Sequence, residues 1–454
     1  MGMTQAGRIV LRSSPSEDTS PEMGLILGRA LAMDYHTVVV AKDRMKSSTM
    51  MKDALVAGLL SAGCDVIDIG CTSAPVAALA ASRGDCAVYV AEFREIGLIS
   101  GYILLNRNGS LFRRDQIRHL EKVFTDPPEL PDYRHLGTAR PYRYATEDYN
   151  RRLLDVLPKK VGGSIILDCG CGTAADSAPQ VLNALMSDVI TINAQRDMDY
   201  IPDTDDHGES ESKDLRMLIG SEPGCIGISI NKTGTILALL DEKGRRVSDE
   251  HLAAMIVMFL KPKKVVVPYT MTSLIEDAFH GIVDLEFVTP FESAPEEERK
   301  FIRSDESGGA VCEMVGNEGA DIGFYDGGII FGNISMMSDG IYASAVITQM
   351  SVDNSLNRTV DSLPEYHRDE HTYEYECSRD EFTRMMDEEI SSLGSDRITR
   401  MDSGWRVEMD SGWIAIVLRG DGVAEVIAES LDKAYLVGLA EIAGDLVEKC
   451  AMGQ

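Results

Sequence analysis

Apolar and polar positions along this chain alternate between two rhythms. Residues 22–31 repeat apolar positions at helical spacing and lead into a valine-rich run at 37–43, which predicts a helix followed by a strand. A helix over 50–63 and a strand over 64–70 come next. Strands at 87–91 and 101–105 follow, the last closed by the turn NRNGS. Strands alternating with helices of this length argue for an open, mostly parallel sheet wrapped by helices.

The rhythm returns twice. Residues 164–168 (SIILD) read as a strand ending in GCGT, then a helix over 177–187, a strand over 189–193, and a hairpin of 226–230 with 236–240 around NKTG. The third round opens with a strand in KPKKVVVPY (261–269) and a helix over 272–282. It adds a strand at 285–290 (LEFVTP) and runs through 308–332 to a helix over 340–350. A polar linker is expected over 351–370. The tail changes character: a hairpin over 406–418 with the turn DSG, a strand over 423–430 and a helix over 433–450. The expected fold is α/β, with three related α/β (mixed-sheet) domains over 1–145, 146–255 and 256–360 and a C-terminal α+β domain over 361–454.

Composition narrows the partners. With 73 acidic against 44 basic residues, the formal charge is −29. That balance argues against nucleic acid and anionic membranes, whose phosphates it would repel. No stretch reaches the roughly 18 unbroken apolar residues of a membrane helix, and the first twenty residues lack an apolar signal core. The expected location is cytoplasmic. Nine scattered cysteines fit a reducing compartment. Cys169 and Cys171, the one close pair, make at most half a metal or redox site, and the plainer reading is small residues packed in a glycine turn. His367 and His371 are four apart with acids between them, but they fall in the expected linker and read as solvated.

Several passages carry a resemblance: VVVAKDRMKSSTMMKDALVAGLLSAGCDVIDIG, ILLNRNGSLF, IILDCGCGTA, LALLDEKGRRVS, GADIGFYDGGIIFGNISMMSDG and DSGWIAIVL. In this order they resemble the α-D-phosphohexomutases, most closely the archaeal members, over nearly the whole chain. The resemblance implies four domains around a central cleft, with one loop from each. The implied reaction moves phosphate between two hydroxyls of one hexose by way of a phosphoserine, with Mg²⁺.

Set against that pattern, each loop has lost what its chemistry needs. The family's T-A-S-H-N-P stretch aligns without a gap and puts Phe93 at the serine position, with Glu92, Arg94 and Glu95 around it. A phenyl ring cannot accept a phosphoryl group, and Ser100 would need a rebuilt loop. The metal loop, D-G-D-x-D-R in the family, is Asn231-Lys232-Thr233-Gly234-Thr235-Ile236 here. Asn231, Thr233 and Thr235 replace the three carboxylates, and Lys232 is the only charge. The loop then favours an anion over Mg²⁺, or is simply a good hairpin turn. In the sugar loop, Phe324 stands where a sugar-binding glutamate is expected, Tyr325 beside it, and Asp326 still offers an acceptor. The phosphate loop, R-P-S-G-T-E-P in the family, is one residue shorter. It places Val417 at the arginine and Arg419 at the serine, with Gly420 and Gly422 as a candidate nest and Asp421 opposing an anion. Arg12 falls where the family carries an N-terminal arginine. Lys42, Asp43, Ser47 and Ser48 keep part of a G-R-D-x-R-x-S-S stretch, with Met45 in place of its second arginine.

These readings predict no catalytic residue, no cofactor and no metal. Lys232, Asp326, Arg419 and Arg12 remain as candidates for a sugar or anion. The expected role is binding, regulation or assembly, with the chain itself or an active mutase relative as partner. The alternatives are a sensor of a phosphosugar or other anion, a residual phosphosugar mutase, or new chemistry built on Glu92, Arg94, Glu95 and Asp326.

Overall fold

The structure is a computed structural model that describes residues 8–10, 20–93, 99–125, 130–157, 163–186, 188–195, 213–222, 224–283, 285, 287–395, 397–420 and 422–451. The first sheet holds β1 (Arg8–Val10), β2 (Thr37–Lys42), β3 (Asp65–Cys71), β4 (Cys86–Phe93), β5 (Ile99–Asn106) and β6 (Ala139–Pro141), in the order β1-β5-β4-β2-β3-β6. Its helices are α1 (Pro21–Leu31), α2 (Lys46–Ser61), α3 (Ala74–Ala80) and α4 (Arg114–Thr125). Helix α5 (Ala145–Val156) leads to β7 (Ser164–Asp168), α6 (Ala178–Leu185), β8 (Asp188–Ile192), α7 (Lys213–Ser221), β9 (Ile226–Ile230), β10 (Leu237–Leu240) and β11 (Arg246–Val247). This second sheet is ordered β11-β10-β9-β7-β8. Then come α8 (Asp249–Leu260), β12 (Lys264–Pro268), α9 (Ser273–His280), β13 (Lys300–Ser304), α10 (Gly308–Glu318), β14 (Ile322–Tyr325), β15 (Gly328–Phe331), α11 (Gly340–Asp353) and α12 (Leu356–Ser362). The third sheet is ordered β13-β12-β14-β15.

The three sheets share one plan. In each, a central strand (β2, β7 or β12) pairs in parallel with a neighbour on either side. One neighbour (β4, β9 or β14) then turns back into an antiparallel partner (β5, β10 or β15). The strand runs are apolar because both faces of a parallel sheet are covered by helices. Strand β2 buries Val38, Val39, Val40 and Ala41, strand β12 buries Val265, Val266 and Val267, and Val90 is buried on the neighbouring β4. Helices α1 and α2 cross closely at glycines: a Cβ on Gly28 would lie 2.3 Å from the carbonyl oxygen of Leu55.

The last sheet is different. It contains β16 (His367–Glu374), β17 (Ile398–Met401), β18 (Gly404–Met409), β19 (Gly412–Leu418) and β20 (Val423–Ser430), with α13 (Arg379–Ser392) and α14 (Lys433–Ala451). All its pairings are antiparallel, in the order β16-β20-β19-β18-β17. One continuous core runs from the first sheet through the third. The last sheet has its own core under α13 and α14. A smaller cluster of Tyr269, Trp413, Ala415, Val417 and Ile427 joins it to the third unit.

Several expectations need correcting. Residues 285 and 287–290 form no strand. The position beside β12 is taken by β13 instead, and Phe287 and Phe291 pack edge-on against Phe259 of α8, with centroids 6.2 and 5.6 Å apart. The expected linker at 351–370 contains α12 and the start of β16. Glu242, from the second unit, accepts from the Leu356 and Asn357 amides at 2.7 and 2.8 Å and so caps α12. The boundaries at 255/256 and 360/361 fall inside α8 and α12, and the one at 145/146 falls at the start of α5. His367 and His371 lie on β16, beside Glu365 and Asp369 at 3.9 and 3.2 Å. No described helix is long and apolar enough to cross a membrane.

Candidate functional site

The expected loops occupy equivalent positions. The first three sit on the hairpins β4–β5, β9–β10 and β14–β15 of the three repeats, and the fourth joins β19 to β20. A parallel strand that reverses at its end must expose a turn there, so the repeated topology itself generates three comparable sites.

At the first hairpin, Phe93 ends β4 and pairs with Ile99, while Ser100 pairs with Glu92 within the ladder. Ser100 is therefore strand backbone rather than a loop nucleophile. Residues 94–98, with Arg94 and Glu95, lie outside the described residues, as does Arg12. The buried Asp43 carboxylate accepts from the amides of Met45 and Glu92, both at 2.9 Å, and ties the start of α2 to β4. Burial pushes that carboxyl up from its ordinary value. Ser47 Oγ donates to Glu92 Oε2 at 2.7 Å. Lys42 Nζ donates to the Asp43 carbonyl at 2.8 Å.

At the second hairpin the turn closes on itself. Asn231 Oδ1 accepts from the amides of Thr235 and Ile236 at 2.8 and 3.2 Å, and Asn231 Nδ2 donates to Thr235 Oγ1 at 3.1 Å. The Thr233 and Thr235 hydroxyls are 3.0 Å apart. All three side chains are buried. The turn's carbonyls are committed to neighbouring units. Ala74 at the start of α3 donates to Thr233 at 2.9 Å, Gly340 at the start of α11 donates to Gly234 at 3.0 Å, and Thr173 donates to Lys232 at 3.0 Å. Ile236 bridges to Gly328 on the third hairpin. A Cβ on Gly172 would lie 2.6 Å from Lys232 Cα, which is how closely the second unit's own loop approaches the turn. Magnesium needs hard, anionic oxygen ligands in octahedral array. Neutral side chains already bonded to each other do not fit it. No group of three or more His, Cys, Asp or Glu able to hold a metal occurs among the described residues.

At the third hairpin, Asp326 and Gly327 take φ of 47° and 68° in a two-residue turn between Tyr325 and Gly328, the left-handed pair that Asp-Gly suits. Asp326 is exposed at the tip. Phe324 is only 3% exposed and belongs to the core. The Tyr325 hydroxyl lies 3.2 Å from Ser338 Oγ, and its ring fills the space over Gly308. Both aromatics are packing residues here.

At the fourth turn, Val417 lies inside β19, buried against Tyr269 of the third unit. Arg419 is held by two carboxylates, Glu306 at 2.9 Å and Glu425 at 2.6 Å. Gly420 and Gly422 have φ of 78° and 82°, while Asp421 lies outside the described residues. The structure thus brings the second and third hairpins together and couples Arg419 to the third unit through Glu306.

Three contacts at unit boundaries were not anticipated. Arg44 reaches from the first unit to Asp176 at 3.0 Å and to the carbonyl of Gln195 at 3.3 Å in the second. Tyr149 donates to the Asp339 carboxylate, 2.7 and 2.8 Å from its two oxygens. Arg406, fully buried, stacks 3.8 Å over Trp413 and donates to the carbonyls of Tyr269 and Met271 at 3.0 and 2.9 Å. The available signal was faint: both tryptophans lie in the C-terminal module, and Arg44 sits within a stretch that otherwise read as scaffold.

Comparison with known proteins agrees with this architecture. Residues 9–129 match the family model described as phosphoglucomutase/phosphomannomutase, alpha/beta/alpha domain I. A probable phosphoglucosamine mutase from Methanosarcina barkeri is 28% identical over 87% of this chain and 89% of its own length. The phosphoglucosamine mutase of Methanocaldococcus jannaschii is 24% identical over 77% and 78%. A phosphoglucomutase/phosphomannomutase family protein of known structure from Burkholderia thailandensis superposes with a TM-score of 0.79, at 18% identity, over 99% and 97% of the two chains. A putative phosphomannomutase from Thermus thermophilus gives 0.71 at 14% identity over 98% of each.

Proposed function

The chain belongs to the α-D-phosphohexomutase family, and within it we propose that this member has given up phosphoryl transfer and serves as a non-catalytic binding or assembly protein. One observation carries the reading. The three side chains that replace the metal loop's carboxylates, Asn231, Thr233 and Thr235, are neutral, buried and hydrogen-bonded to one another, and Lys232 adds a positive charge to the same turn. A carboxylate loop must keep oxygen lone pairs free for the ion. This one spends its acceptors on its own backbone and its carbonyls on two neighbouring units. Its role is to hold the first, second and third units together.

The other loops support the same reading. Phe93 offers no oxygen to phosphate, Phe324 is buried in the core, and Val417 is packed against the third unit. The anion-sensor alternative is weaker, because Arg419 would have to leave Glu306 and Glu425 to meet a phosphate. Losing nucleophile and metal together removes the two main sources of rate.

The test is direct. Purified protein is incubated with Mg²⁺ and the 1- or 6-phosphates of glucosamine, mannose and glucose, and interconversion is followed. The expected result is no turnover above the protein-free control. Turnover in the ordinary enzymatic range of about 1–10³ s⁻¹ would overturn the proposal.

A further inference from the structure

The surface charge of this chain is strongly uneven. Residues 132–152 carry five arginines against three carboxylates, in a chain with 73 acidic and 44 basic residues. This run includes β6, the edge strand of the first sheet, whose three residues are all exposed. Arg140 and Arg143 are exposed, and neither side chain makes a hydrogen bond or salt bridge among the described residues, although, after the Thr138 hydrogen bonds, Arg140 lies close enough to Asp65 to help lower its carboxyl. Tyr144, next to Arg143 in the chain, and Tyr133, earlier in the same run, are 66% and 77% exposed. Arginine and tyrosine are the side chains that most often anchor protein interfaces. Pro141 on β6 lacks an amide donor, so a partner would be held by side chains rather than by strand addition.

The complementary surface is on α13. Its fourteen residues carry five carboxylates against two arginines. Asp380, Asp387 and Glu388 line a shallow groove there with Thr383, Arg384 and Ser391; Glu388 pairs with Arg384 at 3.3 Å and Asp387 with Arg400 at 3.1 Å, both with exposed side chains, so an incoming arginine would share or displace them.

We propose that the arginine–tyrosine edge around β6 docks into the acidic groove of α13 on a second copy of this chain. The pairing rests on the assembly role proposed above and gives it a surface. A second copy is favoured over nucleic acid because a long polyanion would run off the basic edge onto an acidic surface, whereas the α13 face is short and local. The contact is heterologous: it joins two different patches and grows head to tail.

Sedimentation velocity over a concentration series tests this on the full chain. The wild-type protein is expected to move from monomer to dimer and larger mass as concentration rises. The R140E/R143E variant and the D380R/E388R variant, each checked for folding by circular dichroism, should each stay monomeric. Their equimolar mixture should regain a dimer, because one contributes an intact groove and the other an intact edge. A wild-type protein that stays monomeric throughout, or variants that associate as well as wild type, would overturn the proposal. So would a labelled oligonucleotide bound by wild type and lost in R140E/R143E without self-association. Mutase turnover would instead defeat the non-catalytic reading and leave the mass measurement untouched.

Discussion

Two turns in this molecule stand where the family places working loops, and they have been closed in opposite ways. In the turn at 231–236, the neutral side chains of Asn231, Thr233 and Thr235 are buried, and the Asn231 acceptor is turned on its own backbone. At the fourth turn, Arg419 and Gly420 are exposed, and the arginine is neutralised by Glu306 and Glu425. The first closure is structural, because undoing it strands amides in the interior. The second is electrostatic: a half-exposed arginine set between two carboxylates that are largely covered. On the non-catalytic reading proposed above, loss of a site need not mean loss of order: one turn acts as a bolt between units, and the other holds a pair of salt bridges.

Mutations should separate the two. The largest effect is expected at the seam between the last sheet and the third unit. Arg406→Ala removes a buried cation from Glu408 (2.6 Å), Trp413 and two carbonyls, and urea unfolding should show a loss of about 3–5 kcal/mol. Burial and the nearby Arg303 already bring that guanidinium down to about 10.

Next comes the Asp339 carboxyl behind the second turn. Burial pushes it up from 3.8 to about 6, although the Tyr342 amide and Tyr149 hydroxyl pull the other way. Its folded value lies above its unfolded one, so its contribution is full below the unfolded value and lost as pH rises through the folded one. Asp339→Asn has no such loss. Between about pH 4 and pH 8 the wild type should lose about 3 kcal/mol relative to this variant. Paired denaturation curves across pH check the sign, and a flat difference would refute it.

Asn231→Ala should cost about 1–3 kcal/mol, because the Thr235 and Ile236 amides lose their acceptor in a buried turn. Arg419→Ala should cost about 1 kcal/mol, because the arginine is half exposed and solvent screens its pairing with Glu306 and Glu425, measured by the same denaturation. If Arg419→Ala proved the more damaging of the two, the contrast between the turns would fail.

The repeats were legible from the chain because they are local: valine runs, helical spacing and glycine turns set strand and helix with little help from elsewhere. The NKTG hairpin was read correctly for the same reason, its ladder running Ile230 to Leu237. The failures were places where distant residues decide. The segment at 285–290 has strand-like composition, yet the position beside β12 goes to β13, which pairs with it from Lys300 to Ser304. The expected linker holds α12 because Glu242, more than a hundred residues earlier, caps it.

The candidate site divides along the same line. Sequence by itself determined which side chains stand at each hairpin, and so that Phe93, Asn231, Thr233, Thr235 and Phe324 lack the oxygen chemistry of the family pattern. Only the tertiary structure decided what those residues do instead. Asn231 folds back on its own turn, Phe324 enters the core, Val417 seals a boundary between units, and Arg419 takes two carboxylates. Residue identity limits which bonds are available. Which of them form depends on the partners that folding brings within about 3 Å, some from the same turn, as for Asn231, and some from another unit, as for Arg419 with Glu306.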